Sequence, residues 1–267
     1  MLSLSIIIIH YNQAKWLENC LMKIRQEKLD IPFEVIVIDN NSPDILEAEK
    51  MVEKMQDHFA ELVLIKNQKN LGYGQAVNQG IKATDGKYIL VLNPDVLISG
   101  AGLSKMVKYM EENQSVGVLG PKLFNYDGTL QYSCFAFPKW YTPIVRRTFL
   151  GNTLFGKKEI RRYLMEDYDH QVTREVDWLL GGALFLRREA IEKIGLMDER
   201  YFLYCEDTDC CRKFKDSIYK VIYYPEASFL HYHQRMSARK KGLRALFDKI
   251  ALIHIMSAIK YFLKWGI

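Results

Sequence analysis

The sequence predicts an α/β fold with a doubly wound, mostly parallel sheet flanked by helices. Short apolar runs alternate with helix-periodic segments through the first hundred residues, which is the βαβ order of a parallel sheet. These runs are continuously apolar rather than alternating, as in strands buried on both faces. The length of 267 residues and the charged fraction of 26% are those of a globular chain large enough for one such sheet.

Two strand–helix pairs open the chain. The β-branched run Ser3–Ile9 predicts a central strand, and Asn12 is placed to cap the helix that follows. Phe33–Ile38 predicts a second buried strand, and Ser42-Pro43 marks the start of a second helix. Apolar residues at helical spacing define the inner faces of these helices: Leu17, Cys20, Leu21 and Ile24 in the first, and Ala48, Met51, Val52, Met55 and Phe59 in the second.

The next elements continue this order. Leu62–Ile65 predicts a third strand, Gln75–Ala83 a helix, and the turn Asp85-Gly86 leads into the strand Tyr88–Leu92. Beyond this point the pattern is less regular. It predicts helices over Gly102–Glu112 and Glu189–Ile194, strands over Val116–Leu119, Trp178–Arg187 and Ile218–Tyr224, and a long loop or small subdomain over residues 125–170 that carries specificity.

Asp95 is the most informative acidic residue. It follows an apolar strand through the break Asn93-Pro94, and Pro94 ends strand pairing there. The carboxylate is therefore expected at the carboxyl end of the strand, where open α/β sheets bind their ligands. A lone carboxylate at this place suits a divalent cation held to a phosphorylated substrate. The alternative is an aspartate that only stabilises the turn.

Asp39 ends its own strand in the same way, so both acids are expected at one rim of the sheet. Asp39 is placed to accept the ring N–H of a uracil or thymine, with Asn41 and Ser42 as further polar contacts. Alternatively, this segment only caps the next helix. Gly72 and Gly74 allow a ligand to approach the backbone closely, or they form only a tight turn.

Acids and histidines in the second half supply candidate reactive groups. Glu206 and Asp207 follow an aromatic stretch, and such surroundings raise the pKa of a carboxyl group and suit a general base. Alternatively, both acids only stabilise a helix N-terminus. His231 and His233 share one face of a strand and are placed to complete the coordination of a metal held by Asp95, although most histidines are structural.

Six segments occur along the chain in a fixed order. They are Tyr11-Asn12, residues 37–42 (VIDNNS), residues 70–80 (NLGYGQAVNQG), residues 92–95 (LNPD), residues 181–183 (GGA) and residues 202–209 (FLYCEDTD). Together they resemble the inverting family 2 glycosyltransferases of the GT-A fold, in particular the bacterial rhamnosyltransferase-like branch. The resemblance extends from residue 3 to about residue 240.

The resemblance implies transfer of rhamnose or another hexose from a nucleoside-diphosphate donor to a hydroxyl group of a glycan or lipid-linked saccharide, in the synthesis of cell-surface polysaccharide. Asp39 is similar to the acid that reads the nucleobase. Asp95 is similar to the ligand of the Mg²⁺ or Mn²⁺ ion that holds the diphosphate. Asp207 is similar to the catalytic base, with Glu206 beside it.

Asn93 departs from the Asp-x-Asp pattern of the family. An amide is a poorer cation ligand than a carboxylate, which implies weak metal binding or a greater need for the histidine, for which His231 is preferred over His233. The implied sets are Tyr11, Asn12, Asp39, Asn41, Gly72, Gly74, Asn78, Asn93 and Asp95 for the donor, Trp178, Gly181 and Gly182 for the acceptor, Asp95, His231 and His233 for the metal, and Glu206 and Asp207 for catalysis.

The positive charge is concentrated near the C-terminus. The net charge is +5, and eight basic residues against one acid give residues 235–267 a charge of +7, which leaves −2 for the preceding 234 residues. A near-neutral body argues against a nucleic-acid partner. The helical, amphipathic tail Arg239–Trp265 suits an anionic membrane surface, or it packs on the domain. We expect a domain over residues 1–234, divided into a nucleotide-binding half (1–100) and an acceptor-binding half (101–234), and a tail over 235–267.

Cysteine usage and apolar runs favour the cytoplasm. The five cysteines are irregularly spaced, which is untypical of a disulfide framework or a zinc site. No apolar run reaches the roughly 20 residues that cross a bilayer, and the first residues lack the basic region of a secretory signal. We therefore expect a cytoplasmic protein that is peripheral on the inner face of the membrane.

Two rival functions fit parts of the sequence. A dinucleotide-dependent oxidoreductase needs a third glycine where Val77 stands. A catalytically silent sugar- or nucleotide-binding module would keep the fold, but it has no need of Asp39, Asp95 and Asp207 together.

Overall fold

The computed structural model describes residues 2–27, 29, 31–232 and 248–267. Its strands are β1 (Leu4–His10), β2 (Phe33–Asp39), β3 (Leu62–Lys66), β4 (Tyr88–Leu92), β5 (Val96–Leu97), β6 (Val116–Phe124), β7 (Leu130–Gln131), β8 (Cys134–Phe135), β9 (Arg174–Glu175), β10 (Trp178–Leu179), β11 (Ala183–Arg187) and β12 (Lys220–His231). Its α-helices are α1 (Ala14–Gln26), α2 (Ile45–Met55), α3 (Tyr73–Lys82), α4 (Gly100–Glu112), α5 (Thr142–Arg147), α6 (Leu154–Leu164), α7 (Arg188–Ile194), α8 (Glu206–Lys215) and α9 (Lys249–Trp265), and Gln56–His58 and Phe149–Asn152 form short 3₁₀ helices.

One mixed sheet runs through the molecule in the order β3-β2-β1-β4-β11-β6-β12-β5. β1 pairs in parallel with β2 and β4, and β2 pairs in parallel with β3, so the predicted parallel order of the first half is confirmed. β11 is antiparallel to both β4 and β6, whereas β12 is parallel to β6. β7 and β9 pair with β6 and β12, and β8 and β10 form a separate antiparallel pair.

Helices cover both faces of the sheet. All residues of β1 are buried, and their side chains alternate between two apolar clusters. Ile6 and Ile8 pack in the cluster that contains Leu17 of α1, whereas Ile7 packs with Val77 of α3. Burial of each such side chain contributes about 1.5–3 kcal/mol, so the apolar run that predicted the strand also explains the layered core.

The loops after β1 and β2 differ from the prediction. Asn12 does not cap α1, because it lies in the left-handed region with a φ of 54°, and the first amide of α1, that of Ala14, donates to Asp44 Oδ2 at 2.8 Å. α2 begins at Ile45 rather than at Ser42. Ser42 instead accepts a hydrogen bond from the Asn12 amide at 3.0 Å. The two loops therefore support each other across the rim of the sheet.

The second half shows three further differences. The strand predicted over Trp178–Arg187 is two strands in different sheets, because the chain leaves β10 at Leu180 and enters β11 only at Ala183. β12 continues past Tyr224 through an irregular stretch to His231. Residues 125–170 form the predicted small subdomain, built from α5, α6 and short strands, and not a structureless loop.

The C-terminal helix α9 packs on the domain through Ala251, Ser257 and Tyr261, which are buried. This is one of the two outcomes predicted for the tail. Residues 233–247, including His233 and most basic positions of the tail, lie outside the described residues. Among the helices that are described, none has the length and apolar character needed to traverse a bilayer.

Candidate active site

Loops at the carboxyl ends of β1, β2 and β4 meet at one rim of the sheet. In the parallel register His10 is the partner of Asp39, and Ile8 is the partner of Leu92. Asp95 follows Leu92 after a turn in which the Val96 amide donates to the Asn93 carbonyl oxygen at 3.1 Å. Asp39 and the Asp95 turn therefore occupy the same rim, as the strand pattern predicts.

Asp39 is only 1% exposed, and its two carboxylate oxygens have different surroundings. Oδ2 accepts the Ser42 amide at 3.1 Å, whereas Oδ1 makes no hydrogen bond among the described residues and lies 3.7 Å from His10 Nε2. His10 Nε2 also lies 3.3 Å from Asp44 Oδ1. Burial lowers the pKa of His10 despite both carboxylates, so its ring is neutral at pH 7. Asp39 thus stabilises the turn and keeps one oxygen available.

Asn40 organises this rim and was not singled out from the sequence. Its Nδ2 donates to Asn70 Oδ1 at 2.9 Å and to the Gly72 carbonyl oxygen at 3.2 Å, while its Oδ1 accepts the Leu71 amide at 2.9 Å. Asn40 therefore joins the loop after β2 to the loop before α3. The neighbouring Asn41 is exposed, with a φ of 63°.

Asp95 and His231 approach each other where β5 pairs with β12. Asp95 Oδ1 lies 3.5 Å from His231 Nε2, and the Tyr232 amide donates to the Asp95 carbonyl oxygen at 2.9 Å. Among the described residues no group of three or more His, Cys, Asp or Glu side chains forms a metal site. One carboxylate and one imidazole at this spacing fit a divalent ion that takes its other ligands from phosphate oxygens and water.

The turn Gly181-Gly182 connects the metal candidates to the base candidate. The Gly181 amide donates to Asp207 Oδ2 at 2.9 Å, and the Gly182 carbonyl oxygen accepts the Asn93 amide at 2.9 Å. A Cβ atom added at Gly181 would lie 3.2 Å from Asp207 Oδ2, and one at Gly182 would lie 3.1 Å from His231 Cε1. Two residues without side chains therefore let the two groups lie on either side of one turn.

Tyr73 lies at the centre of this arrangement, and sequence reasoning missed it. Its hydroxyl donates to the Gly181 carbonyl oxygen at 2.8 Å. Burial raises the pKa of Tyr73 well above its ordinary value, and the charges of Glu206, Asp207 and Asp95 raise it further. The raised pKa keeps the phenol protonated, as its donated hydrogen bond requires. The only sequence signal was its place inside the glycine-rich segment before α3.

Glu206 and Asp207 form the first turn of α8 but have different surroundings. Asp207 accepts the amides of Gly181 and Thr208, yet burial still raises its pKa. Burial and the charge of Asp207 raise the pKa of Glu206 well above its ordinary value. Two adjacent carboxyls with little access to water cannot both ionise cheaply, and Asp207, which accepts two backbone amides, has the better-stabilised carboxylate of the two.

Gly72, just before α3, and Gly74, within it, lie close to the segment before and at the start of α8. A Cβ atom at Gly72, which has a φ of +86°, would lie 2.5 Å from the Phe202 carbonyl oxygen, and the Tyr73 amide donates to that oxygen at 2.8 Å. A Cβ atom at Gly74 would lie 3.5 Å from Glu206 Cβ. Close packing against the segment before α8 therefore explains Gly72, and a ligand contact there stays a prediction.

Asn78 and Trp178 are turned away from the rim. Asn78 is buried. Its Nδ2 donates to the Met197 carbonyl oxygen and to Glu199 Oε1, the latter at 3.0 Å, and its Oδ1 accepts the Met197 amide. Trp178 is buried against Phe135 with ring centroids 4.4 Å apart, and its Nε1 donates to a backbone carbonyl oxygen. The predicted contacts of Asn78 with the donor and of Trp178 with the acceptor do not agree with this geometry, because neither side chain has a free polar group or surface.

Comparison with known proteins tests the family. The model of "Glycosyl transferase family 2" matches residues 5–195. The chain belongs to this family. The resemblance seen in the sequence motifs is therefore confirmed, and the chain is a glycosyltransferase rather than an oxidoreductase.

Two curated relatives are rhamnosyltransferases by name. The N-acetylglucosaminyl-diphospho-decaprenol L-rhamnosyltransferase of Mycobacterium tuberculosis is 26% identical over 250 residues, covering 88% of this chain and 78% of the relative. Rhamnosyltransferase WbbL of Escherichia coli is 24% identical over 264 residues, covering 96% of this chain and 91% of the relative. These matches confirm a rhamnosyltransferase-like glycosyltransferase.

Solved structures confirm the GT-A type of fold. GalNAc-T7 with UDP, GalNAc and Mn²⁺ has a TM-score of 0.62 at 16% identity, covering 88% of this chain and 44% of that protein. The mannosyltransferase PcManGT of Pyrobaculum calidifontis with GDP-Man and Mn²⁺ has a TM-score of 0.59 at 17% identity, covering 98% and 75%. TarS 1–349 of S. aureus with UDP has a TM-score of 0.55 at 20% identity, covering 86% and 60%.

Proposed function

We propose that this glycosyltransferase moves a hexosyl group, rhamnose in the first place, from a nucleoside-diphosphate donor to a hydroxyl group of a saccharide acceptor with inversion at the anomeric carbon. The observation that carries the proposal is the Gly181-Gly182 turn, which has Asp207 on one side and the Asp95–His231 pair on the other. An in-line transfer needs a base and a charge-stabilising group on opposite sides of the reacting carbon.

The donor lies along the rim of the sheet in this proposal. Asp39 Oδ1 is free of hydrogen bonds among the described residues and accepts the ring N–H of a uracil or thymine. Tyr11 and Asn41 are exposed beside it and complete the nucleoside contacts. Asp95 and His231 would hold Mg²⁺ or Mn²⁺, and such an ion would supply positive charge against the leaving diphosphate. The two solved neighbours named with Mn²⁺ support a divalent ion without fixing which one.

The acceptor approaches from the second half of the chain. Asp207 takes the proton from the attacking hydroxyl group, and its raised pKa makes it a stronger base than an exposed aspartate. Residues 1–100 then bind the nucleotide and residues 101–234 the acceptor. The lipid-linked substrate in the name of the mycobacterial relative supports a lipid-linked acceptor for this chain. Such an acceptor suits an enzyme bound peripherally to the inner face of the cytoplasmic membrane, with the tail over 235–267 as one contact.

Donor hydrolysis without an acceptor tests this function. Purified chain is mixed with dTDP-rhamnose, UDP-glucose or GDP-mannose, and the release of nucleoside diphosphate is measured with Mn²⁺, with Mg²⁺ and with a chelator. We expect metal-dependent release from one donor, and loss of metal dependence in Asp95→Ala but not in the matched variant Asp216→Ala, whose acid is exposed at the far end of α8. Binding of donors without any hydrolysis would support the silent sugar- or nucleotide-binding module instead.

A further inference from the structure

Within the small subdomain of residues 125–170, residues 138–162 expose several large apolar side chains. Phe149 is 78% exposed, Leu154 90% and Phe155 58%, and Trp140 and Ile144 are exposed as well. Exposed single apolar residues are ordinary, but a contiguous group marks a contact surface. Trp140 lies in the turn before α5, and the others lie on α5, on the 3₁₀ helix Phe149–Asn152 and on the start of α6, which pack on one another.

The same subdomain is strongly basic. Residues 138–162 contain seven lysines and arginines against one acid, Glu159. Glu159 is buried and bonded to Arg162, so it offsets none of the exposed charge. The exposed basic residues are Lys139, Arg146, Arg147, Lys157, Lys158 and Arg161.

The C-terminal helix α9 exposes a second apolar surface. Leu252, Met256, Ile259 and Leu263 are exposed, and their spacing of four, three and four residues places them on one stripe of the helix. Lys264 of α9 reaches inward to the domain, where it pairs with Asp198 and Asp209. Lys249 and Lys260 are exposed beside the stripe, so this surface combines apolar and basic side chains.

The two surfaces are neighbours. An Arg147 guanidinium nitrogen, at the end of α5, lies 2.7 Å from His254 Nδ1 of α9. The subdomain also follows β8, which pairs with β10, and β10 leads into the Gly181-Gly182 turn beside Asp207. Both surfaces consequently lie on the half of the molecule that receives the acceptor.

We propose that residues 138–162 and the outer stripe of α9 together form a docking surface for an anionic lipid bilayer, with the apolar side chains inserted between head groups and the basic residues against them. Exposed Phe, Trp and Leu side chains beside lysine and arginine are typical of segments that bind at the membrane interface. A second copy of the chain fits less well, because a two-fold contact would bring this basic surface against itself. The inference rests on the proposed function only in that a bilayer would present a lipid-linked acceptor.

Vesicle flotation of the full chain tests the surface. We expect recovery with vesicles of phosphatidylcholine and phosphatidylglycerol (about 7:3) and much weaker recovery with phosphatidylcholine alone. Phe149→Ser/Leu154→Ser/Phe155→Ser should reduce partitioning about a hundredfold or more. Lys157→Gln/Lys158→Gln should reduce it about tenfold, on anionic vesicles only. Met256→Ser/Ile259→Ser tests the α9 stripe in the same way.

Ile218→Ser and Lys108→Gln are the matched controls, since both side chains are exposed elsewhere on the molecule, and they should bind vesicles like the unaltered chain. Each variant is also assayed for metal-dependent donor hydrolysis, so that loss of the fold or of the proposed function is distinguished from loss of membrane binding. Equal recovery of the controls and of the subdomain and stripe variants would overturn the proposal. The proposal would also be overturned if the unaltered chain did not bind vesicles and these variants had half its mass by sedimentation, which would assign the surface to a second copy.

Discussion

At the scale of single residues, partners decide which acid of the segment Glu206–Asp209 is able to react. Asp209 is completely buried and is bonded to Lys264, Trp265 and the Tyr201 hydroxyl. Asp207 has only amide and hydroxyl donors, and burial raises its pKa. The sequence offers three acids within four residues, and it does not separate them because two partners of Asp209, Lys264 and Trp265, lie more than 50 residues away along the chain.

Asp207→Asn tests the base directly. The amide keeps the hydrogen-bonding shape but cannot take a proton, so we expect kcat to fall about 10²–10⁴-fold, or about 3–5.5 kcal/mol in barrier height. Donor affinity should stay within about twofold, because Asp207 lies on the side of the Gly181-Gly182 turn away from Asp95. Steady-state transfer rates and donor titration measure the two effects separately.

Asp216→Asn is the control, since this exposed acid ends the same helix. The pH profile adds a second readout. A base works only when it is ionised, and the pKa of Asp207 is raised, so activity of the unaltered chain should fall as the pH drops through a value above that of an ordinary aspartate. Near-normal turnover of Asp207→Asn, or an unshifted acid limb, would remove Asp207 from the mechanism.

At the scale of elements, α9 holds the segment that carries Asp207, the proposed base. Ser257 donates to the Leu203 carbonyl oxygen at 2.8 Å, and Lys264 joins Asp198 to Asp209. Within this segment Tyr204 and Cys205 both have a φ of 69°, a left-handed conformation that is costly for non-glycine residues. The tertiary contacts of α9 offset that cost, so the C-terminal helix positions the segment that contains Glu206 and Asp207.

Lys264→Ala should destabilise the whole fold. It leaves the buried Asp209 carboxylate with Trp265 and Tyr201 as donors and removes one partner of Asp198. Removal of one member of a buried ion pair costs several kcal/mol, and the partial exposure of Lys264 reduces this to about 2–4 kcal/mol. Urea unfolding followed by circular dichroism measures the change.

Lys108→Ala is the matched control, because its pair with Glu112 is exposed and 3.8 Å long. Such a pair contributes about 0–0.5 kcal/mol. If the two lysine variants unfold at the same urea concentration, α9 is not the anchor that its contacts indicate.

The parallel strands were predictable because each is a local apolar run with helices of matching period between them. The break between β10 and β11 was not predictable, because the strand pattern of residues 178–187 is continuous. The turn Gly181-Gly182 leaves the sheet to form hydrogen bonds with Asp207 and Asn93, which are distant in the sequence. Tyr73 and Asn40 were missed for the same reason: their roles depend on contacts with distant segments. The acids at strand ends were found because their chemistry is conspicuous in an apolar context.

At the scale of the whole molecule, one sheet joins the rim proposed to bind the nucleotide to the half proposed to bind the acceptor. Asp39 and Asp95 lie at the ends of parallel strands, and β11 inserts between β4 and β6, so that the turn before it bonds to Asp207 on one side and to Asn93 on the other. The basic, apolar surface over residues 138–162 lies in the half proposed to bind the acceptor. In this proposal the donor and the acceptor reach the site from different sides.

A crystal structure with a nucleoside diphosphate and Mn²⁺, with anomalous diffraction recorded at the manganese edge, tests the shared cleft most directly. The account predicts one anomalous peak between the Asp95 carboxylate and the His231 imidazole, the nucleobase against Asp39, and the Asp207 carboxylate facing the same cavity. A nucleotide bound elsewhere, with manganese away from Asp95, would contradict it.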